Sequence, residues 1–169
     1  MPDTTTIRRA EKAKARGKSA RTQAGEFVRE EIHHVREGKH GARSAKQAIA
    51  IGLSKARRAG VNLPPPRRGK TSEETRKSAE RAYEQGRKSP ARGHSSSARG
   101  RATLRALKHE GKSAASPVAL SRQAHSAASK RTASERSEAA RKAVRTKGPR
   151  ARKTAAKRAA RTRAQHATS

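Results

Sequence analysis

The sequence has no cysteine and no tryptophan, and one residue each of methionine, tyrosine and phenylalanine. Without cysteine there is no disulfide framework, no thiol nucleophile and no thiolate metal site. With aromatics at 1% there is no platform on which unpaired bases could stack, which argues against a specialist in single strands. Acidic side chains are scarce as well, 13 Asp and Glu against 44 Lys and Arg. Asp3 is the only aspartate, and no Ser/His/acid set can be placed on a rigid scaffold, so the chain is not expected to be an enzyme. No stretch approaches the roughly 20 consecutive apolar residues of a membrane span. The N-terminus has no apolar run of the kind a signal peptide needs. The expectation is a soluble, cytoplasmic protein that needs no cofactor.

What apolar bulk exists is concentrated. Phe27, Val28, Ile32, Val35, Ile49, Ile51, Leu53, Val61 and Leu63 all lie between residues 22 and 66. Much of the remaining hydrophobic content is alanine. At roughly 25 cal/mol per Å² of buried apolar surface, so few large side chains do not offset about 1–2 kcal/mol of backbone entropy per ordered residue across the whole chain. The fold class expected is therefore all-α: a short helical hairpin, with a third helix as an option, carrying long basic tails that are partly disordered or conditionally helical.

Residues 1–21 read as a basic N-terminal arm that is either disordered or helical on a polyanion. In the hairpin core, 22–66, the first helix is expected over 23–37, with Ala24, Phe27, Val28, Ile32 and Val35 forming one stripe at three- and four-residue steps. Gly38 closes it. Ser44 and Gln47 have capping-box spacing and open a second helix. Its narrow small-residue face is Ala45, Ala48, Ile49, Gly52, Leu53, Ala56 and Ala59. Gly60 ends that helix, with Val61 or Leu63 folding back onto its last turn, and Pro64-Pro65-Pro66 begins an extended spacer. Residues 67–88 hold a basic linker and a helix expected from Thr71 to Gln85, stopped by Gly86 and docked through Tyr83. A Pro/Gly/Ser linker is expected over 89–101 and a weak, degenerate copy of the hairpin over 102–131. In that copy Glu110-Gly111-Lys112 and Ser116 repeat Glu37-Gly38-Lys39 and Ser44. The remainder, 132–169, is an Ala/Lys/Arg-rich tail with a capping box at Thr132 and Glu135 and no acid after Glu138.

Two motifs invite chemistry and fail. Gly17-Lys18-Ser19 and Gly111-Lys112-Ser113 lack the upstream glycine and preceding strand of a P-loop, so both read as helix stops. His33, His34 and His40 cluster with Glu30 and Glu37, and Glu30-x-x-His33 has the spacing of carboxylate-bridged metal bundles. No matching ligands come from other helices, so these read as solvated side chains and no metal is assigned.

The net charge of +31 and the pI near 11.9 carry the functional reading. Such a chain repels itself, and nucleic acid is the default polyanion that compensates it. Each phosphate neutralised releases condensed counterions, giving tight, salt-sensitive and sequence-independent binding. The expected contacts are Arg43, Lys46, Lys55, Arg57 and Arg58 on the second helix and its entry, Arg67 and Arg68 in the linker, and Arg141, Lys142, Arg145, Lys147, Lys157, Arg158, Arg161 and Arg163 in the tail. The segregation of Glu26, Glu30, Glu31 and Glu37 on the first helix suggests an acidic side opposite the basic one.

The stretch EFVREEIHHVREGKHGARSAKQAIAIGLSKARRAGVNLPPP resembles the shared core of small, basic, largely uncharacterised bacterial proteins labelled DNA-binding or plasmid-stabilisation protein. Lys46 to Gly60 is its most distinctive part, and the blocks VRTKG and AARTRA are similar to the tails of those proteins. The resemblance implies duplex DNA association and nucleoid- or plasmid-linked maintenance, and supplies no catalytic residues. Histone-linker-like bacterial proteins have a similar tail composition. Composition leaves two alternatives open: an RNA- or ribosome-associated protein, and a protein-interaction or homodimerising hairpin whose tails tether it to nucleic acid.

Overall fold

The structure, a computed structural model, describes residues 2–88 and 98–167. Residues 89–97 of the expected linker lie outside the described residues. The elements are α1 (Thr4–Ala15), α2 (Ala20–Glu37), α3 (Ala45–Arg58), α4 (Glu73–Lys88), α5 (Ala98–Lys108), a 3-10 turn (Ser113–Ala115), α6 (Pro117–Ser129) and α7 (Ala133–Ala167), with no strand among the described residues. The expectation of a short hairpin with long tails is corrected by this arrangement. The hairpin is the middle of a multi-helix bundle to which α1, α4 and the segment around the 3-10 turn all contribute.

Two compact units are distinguished, Met1–Gln123 and Ala124–Ser169. In the first, the arm expected to be either disordered or helical on a polyanion is α1, laid against α2. Ala10 is buried with Ala24, Phe27, Ala56 and Val61, and Ile7, Leu53 and Leu63 pack around them. A second cluster joins Val35, Ala42 and Ala48 to Ala114 and Ala115, with Ile32 at its edge. The first part of the degenerate second copy, around Leu107 to Ala115, is thus folded onto the first hairpin. Gly41 N–H donates to the Leu107 carbonyl at 2.8 Å, Ala42 N–H to that of Gly111 at 3.1 Å, and Arg36 Nε to that of Ala115 at 2.9 Å. The composition argument fails here for a specific reason. Alanine adds little area per residue, but it lets helix backbones approach closely, so dispersion and backbone contacts contribute where side-chain bulk is missing.

Gly52 shows how close that approach is. A Cβ there would lie 2.7 Å from the Val28 Cα and 3.0 Å from the Phe27 carbonyl oxygen. Gly86, expected as a stop, lies inside α4, where a Cβ would collide with the carbonyl of Arg57. The helix ends follow the sequence signals closely elsewhere. Gly38 (φ 77°) and Gly60 (φ 85°) are left-handed, and Lys39 N–H and Val61 N–H reach back to the carbonyls of His34 and Ala56. Gln47 N–H donates to Ser44 Oγ, and Glu135 N–H to Thr132 Oγ1 with the reciprocal bond from Thr132 N–H to Glu135 Oε2. Gly17 ends α1 and Ser19 caps α2, so the first Gly-Lys-Ser is a helix–helix junction. The start of α4 is displaced from expectation: Ser72, not Thr71, receives the capping N–H, from Thr75. Tyr83 is half-buried and its hydroxyl donates to Asn62 Oδ1 at 2.6 Å, while Ala79, Ala82 and Gly86 supply the buried face of α4.

The second unit contains the end of α6 and all of α7. Gly148 (φ 67°, ψ 170°) breaks α7 into two helical segments, with Pro149 starting the second. Every residue from Ala124 to Gln165 whose burial is described is exposed, except Gly148, which is half-buried.

Candidate nucleic-acid interface

The cations expected to meet a polyanion fall into three groups. Arg43, Lys46, Arg58, Arg67 and Arg68 are exposed on the first unit. Arg43 Nε lies 3.5 Å from Glu110 yet keeps a side chain 80% exposed, and Arg58 folds back onto Ser54. Arg141, Lys142, Arg145, Lys157, Arg158, Arg161 and Arg163 are exposed on α7 of the second unit, while the Lys147 side chain lies outside the described residues. α7 has cations around its whole circumference after Glu138, with no apolar face to bury. Sequence reasoning also underused α1, where Arg8, Arg9, Lys12, Lys14 and Arg16 are all exposed.

Lys55 and Arg57 form the third group and turn inward. Arg57 is buried, and its guanidinium donates to the carbonyls of Leu63 and Pro64 at 3.1 and 3.4 Å, fastening the proline spacer to the end of α3. Burial pulls its pKa below the usual arginine value. Lys55 enters a polar cluster inside the bundle. Its Nζ is 2.6 Å from Glu31 Oε2 and 3.9 Å from Glu30 Oε1. Neither residue is placed where it could meet a duplex without disrupting this packing.

The expected acidic face of the first helix is divided in the same way. Glu26 pairs with Arg29 and Glu37 with Lys39 near the surface, but Glu30 and Glu31 are buried, Glu31 completely. The spacing explains it: Phe27, Glu31 and Val35 are four residues apart and share one face of α2. Facing them, Gly52, Lys55 and Ala56 lie on the inner side of α3. Val28 and Ile32, expected in the stripe, are only half-buried.

The cluster continues through two histidines and Asp3. His34 Nε2 is 3.6 Å from Asp3 and 3.8 Å from Glu30, and Asp3 N–H donates to Glu30 Oε1 at 3.1 Å. His40, carried by the loop that the Leu107 and Gly111 carbonyls hold, places Nε2 3.1 Å from Glu31 Oε1 and Nδ1 3.0 Å from the Gly41 carbonyl. Burial pushes the His34 imidazole below its ordinary pKa, and Lys55 adds to this, against the pull of Glu30 and Asp3. His33, by contrast, is exposed and pairs with Glu37 at 3.0 Å. The metal-like spacing noted at Glu30-x-x-His33 is therefore not the one the fold assembles. Glu31-x-x-His34, one residue on, is.

A family profile described as a family of unknown function (DUF6496) matches residues 12–68, less than half of the chain. The matched stretch runs from within α1 through α2 and α3 to the basic residues after the proline spacer, and includes the buried cluster except Asp3. No curated protein and no solved structure matches the chain significantly. Among the described residues, no helix is long and apolar enough to cross a membrane.

Proposed function

We propose that the protein binds duplex nucleic acid, DNA in the first instance, through phosphate contacts made by exposed cations of α1, α3, the 67–68 linker and α7. The observation that carries this reading is α7: a helix with Lys and Arg around its circumference, no acid after Glu138 and no buried face. A helix of this kind has no apolar stripe by which to dock, and its one-signed charge is what a phosphate backbone neutralises. Burial of Glu30 and Glu31 supports the same reading, because it removes two of the few acids from the surface that a polyanion would approach. The resemblance to basic bacterial proteins labelled DNA-binding or plasmid-stabilisation adds nucleoid or plasmid association to the proposal. Base readout is not part of it: Gln47 of α3 is half-buried with its Oε1 accepting from Arg43 N–H, and Lys46 and Arg58 are assigned to phosphate.

The test is a salt titration of duplex DNA binding by the full chain and by a variant with Lys157, Arg158, Arg161 and Arg163 changed to Gln. The log–log salt slope for the full chain should be steep. If the four side chains each neutralise one phosphate, the variant's slope should be shallower by about 3–4, near 0.9 per lost contact. An unchanged slope removes α7 from the interface. Affinity that survives high salt removes phosphate binding altogether, and a preference for structured RNA in competition transfers the reading to RNA.

A further inference from the structure

The polar cluster inside the bundle is unbalanced in both charge and hydrogen bonding. Among the described residues, the buried Glu30 and Glu31 face one ammonium, Lys55, so with both imidazoles neutral this pair carries one uncompensated negative charge, and the exposed Asp3 adds a second at the edge of the cluster. Buried charges of this kind are costly unless paired. Three buried carboxylate oxygens, Glu30 Oε2 and both of Glu31, have no aligned hydrogen bond, and no cation is placed against Glu30 Oε2.

The His40 ring sharpens the imbalance. A carbonyl oxygen only accepts, so the 3.0 Å contact to Gly41 requires the proton on Nδ1. The neutral ring then presents a bare Nε2 lone pair to Glu31 Oε1 at 3.1 Å, acceptor against acceptor. A positive charge on or beside the ring relieves this contact, and a metal ion held by both groups is one way to supply it. A histidine whose Nδ1–H is held by a backbone carbonyl and whose Nε2 faces a carboxylate has the arrangement that orients imidazole toward a metal ion.

We infer that Glu31, His34 and His40 form a binding site for a divalent transition-metal ion of the zinc class, with Glu30 or Asp3 able to complete the shell. One ligand atom from each of the three buried residues lies within 4.8 Å of the others, and Asp3, Glu30 and His34 make a second such group that shares His34. In a tetrahedral shell, ligands about 2.0–2.2 Å from the ion lie about 3.3–3.6 Å apart, so the three atoms must close by up to about 1.5 Å. Imidazole and carboxylate together select zinc-class ions over magnesium or calcium. A divalent charge equals the formal deficit. Glu31 and His34 come from successive turns of α2 and His40 from the following loop, so the ion would pin that loop to the helix.

Lys55 is the built-in competitor. Its ammonium occupies the Glu31 Oε2 side of the cluster, and its side chain keeps 13% exposure, so a metal would have to displace it toward solvent. The site is thus a cation position that a lysine holds until a metal displaces it. This inference does not depend on nucleic-acid binding.

The experiment is zinc titration of the full chain against a chromophoric chelator, together with ¹⁵N spectra of the imidazole rings. One zinc per chain is expected, with ring shifts at His34 and His40 and none at His33. His40→Gln should weaken binding by about 100-fold, at least matching the upper range for loss of an outer-shell partner. His33→Gln should leave it unchanged. Lys55→Met should tighten it by about tenfold or more, because a like charge leaves the site. Absence of zinc binding in the micromolar range overturns the inference, as do equal losses in His33→Gln and His40→Gln, which would mark adventitious surface binding. If the His40 variant does not fold, the wild-type ring shifts decide the matter alone.

Discussion

At the scale of single residues, what distinguishes this chain is which charges it hides. Lys55 and Arg57 were counted from the sequence among the DNA contacts because basic residues on an amphipathic helix usually face water. The fold uses both internally, and the reason was partly legible. Lys55 continues the Ala48–Gly52 stripe of α3, as Glu31 continues that of Phe27 on α2. Two charged residues of opposite sign on facing stripes are a signal of a buried pair. Arg57 gave no such signal, since its partners are carbonyls of a spacer whose path no periodicity specifies. Arg57→Ala should cost about 1.5–3 kcal/mol, the range for hydrogen bonds to a charged group, measured by urea denaturation. His34 gives a pH signature in the metal-free protein. Its imidazole faces Lys55, Glu30, Lys39 and Asp3, and its folded pKa is held below the ordinary 6.5. The unfolded state therefore binds the proton more readily. His34 contributes stability above about pH 6.5, and that contribution is lost as the pH falls from there through its folded pKa. A melting-temperature profile should drop over that window, and His34→Gln should flatten the drop.

At the scale of elements, the sequence was most informative about ends and least about docking. Gly38, Gly60, the Ser44 box and the Thr132–Glu135 box all lie where local chemistry requires them, because a cap depends only on neighbours in the chain. Docking depends on what the rest of the chain offers. In the arm at 1–21, Ile7 and Ala10 are too few and small to predict a helix without a polyanion, yet they meet an equally shallow surface of Ala24 and Ala56. The same shallowness makes glycine at α2–α3 a contact residue in its own right. Gly52→Ala introduces a methyl against backbone atoms that cannot rotate away. It should destabilise the protein by about 1–3 kcal/mol, the cost of overpacking, even though alanine is the better helix former. Greater stability in Gly52→Ala, read from the denaturation midpoint, would mean the two helices are farther apart than described here.

At the scale of the whole molecule, the chain divides its labour between a bundle with a core and a helical unit with none. The expected short hairpin with long tails is replaced by a multi-helix bundle, because α1, α4 and the segment around the 3-10 turn also pack on α2 and α3. The segment from Leu107 to Ala115 belongs to the bundle, tied to the α2–α3 loop by backbone hydrogen bonds that no side-chain pattern announces. The distribution of charge follows the division. Neutralising α7 should therefore lower nucleic-acid affinity while leaving the urea midpoint of the bundle unchanged, because none of the described side chains of α7 is buried. A matching shift in that midpoint would mean that the second unit has a role in folding.

The inward turn of Lys55 also has a consequence for covalent chemistry. Amine acylation requires an unprotonated, accessible nitrogen, and the Lys55 ammonium is held against a buried carboxylate. Treated with a limiting amount of an acylating reagent and mapped by mass spectrometry, the chain should be modified at Lys39 and Lys46 well before Lys55. Zinc that expels the side chain from the cluster would reverse its protection, so Lys55 would serve as a natural reporter of its own displacement.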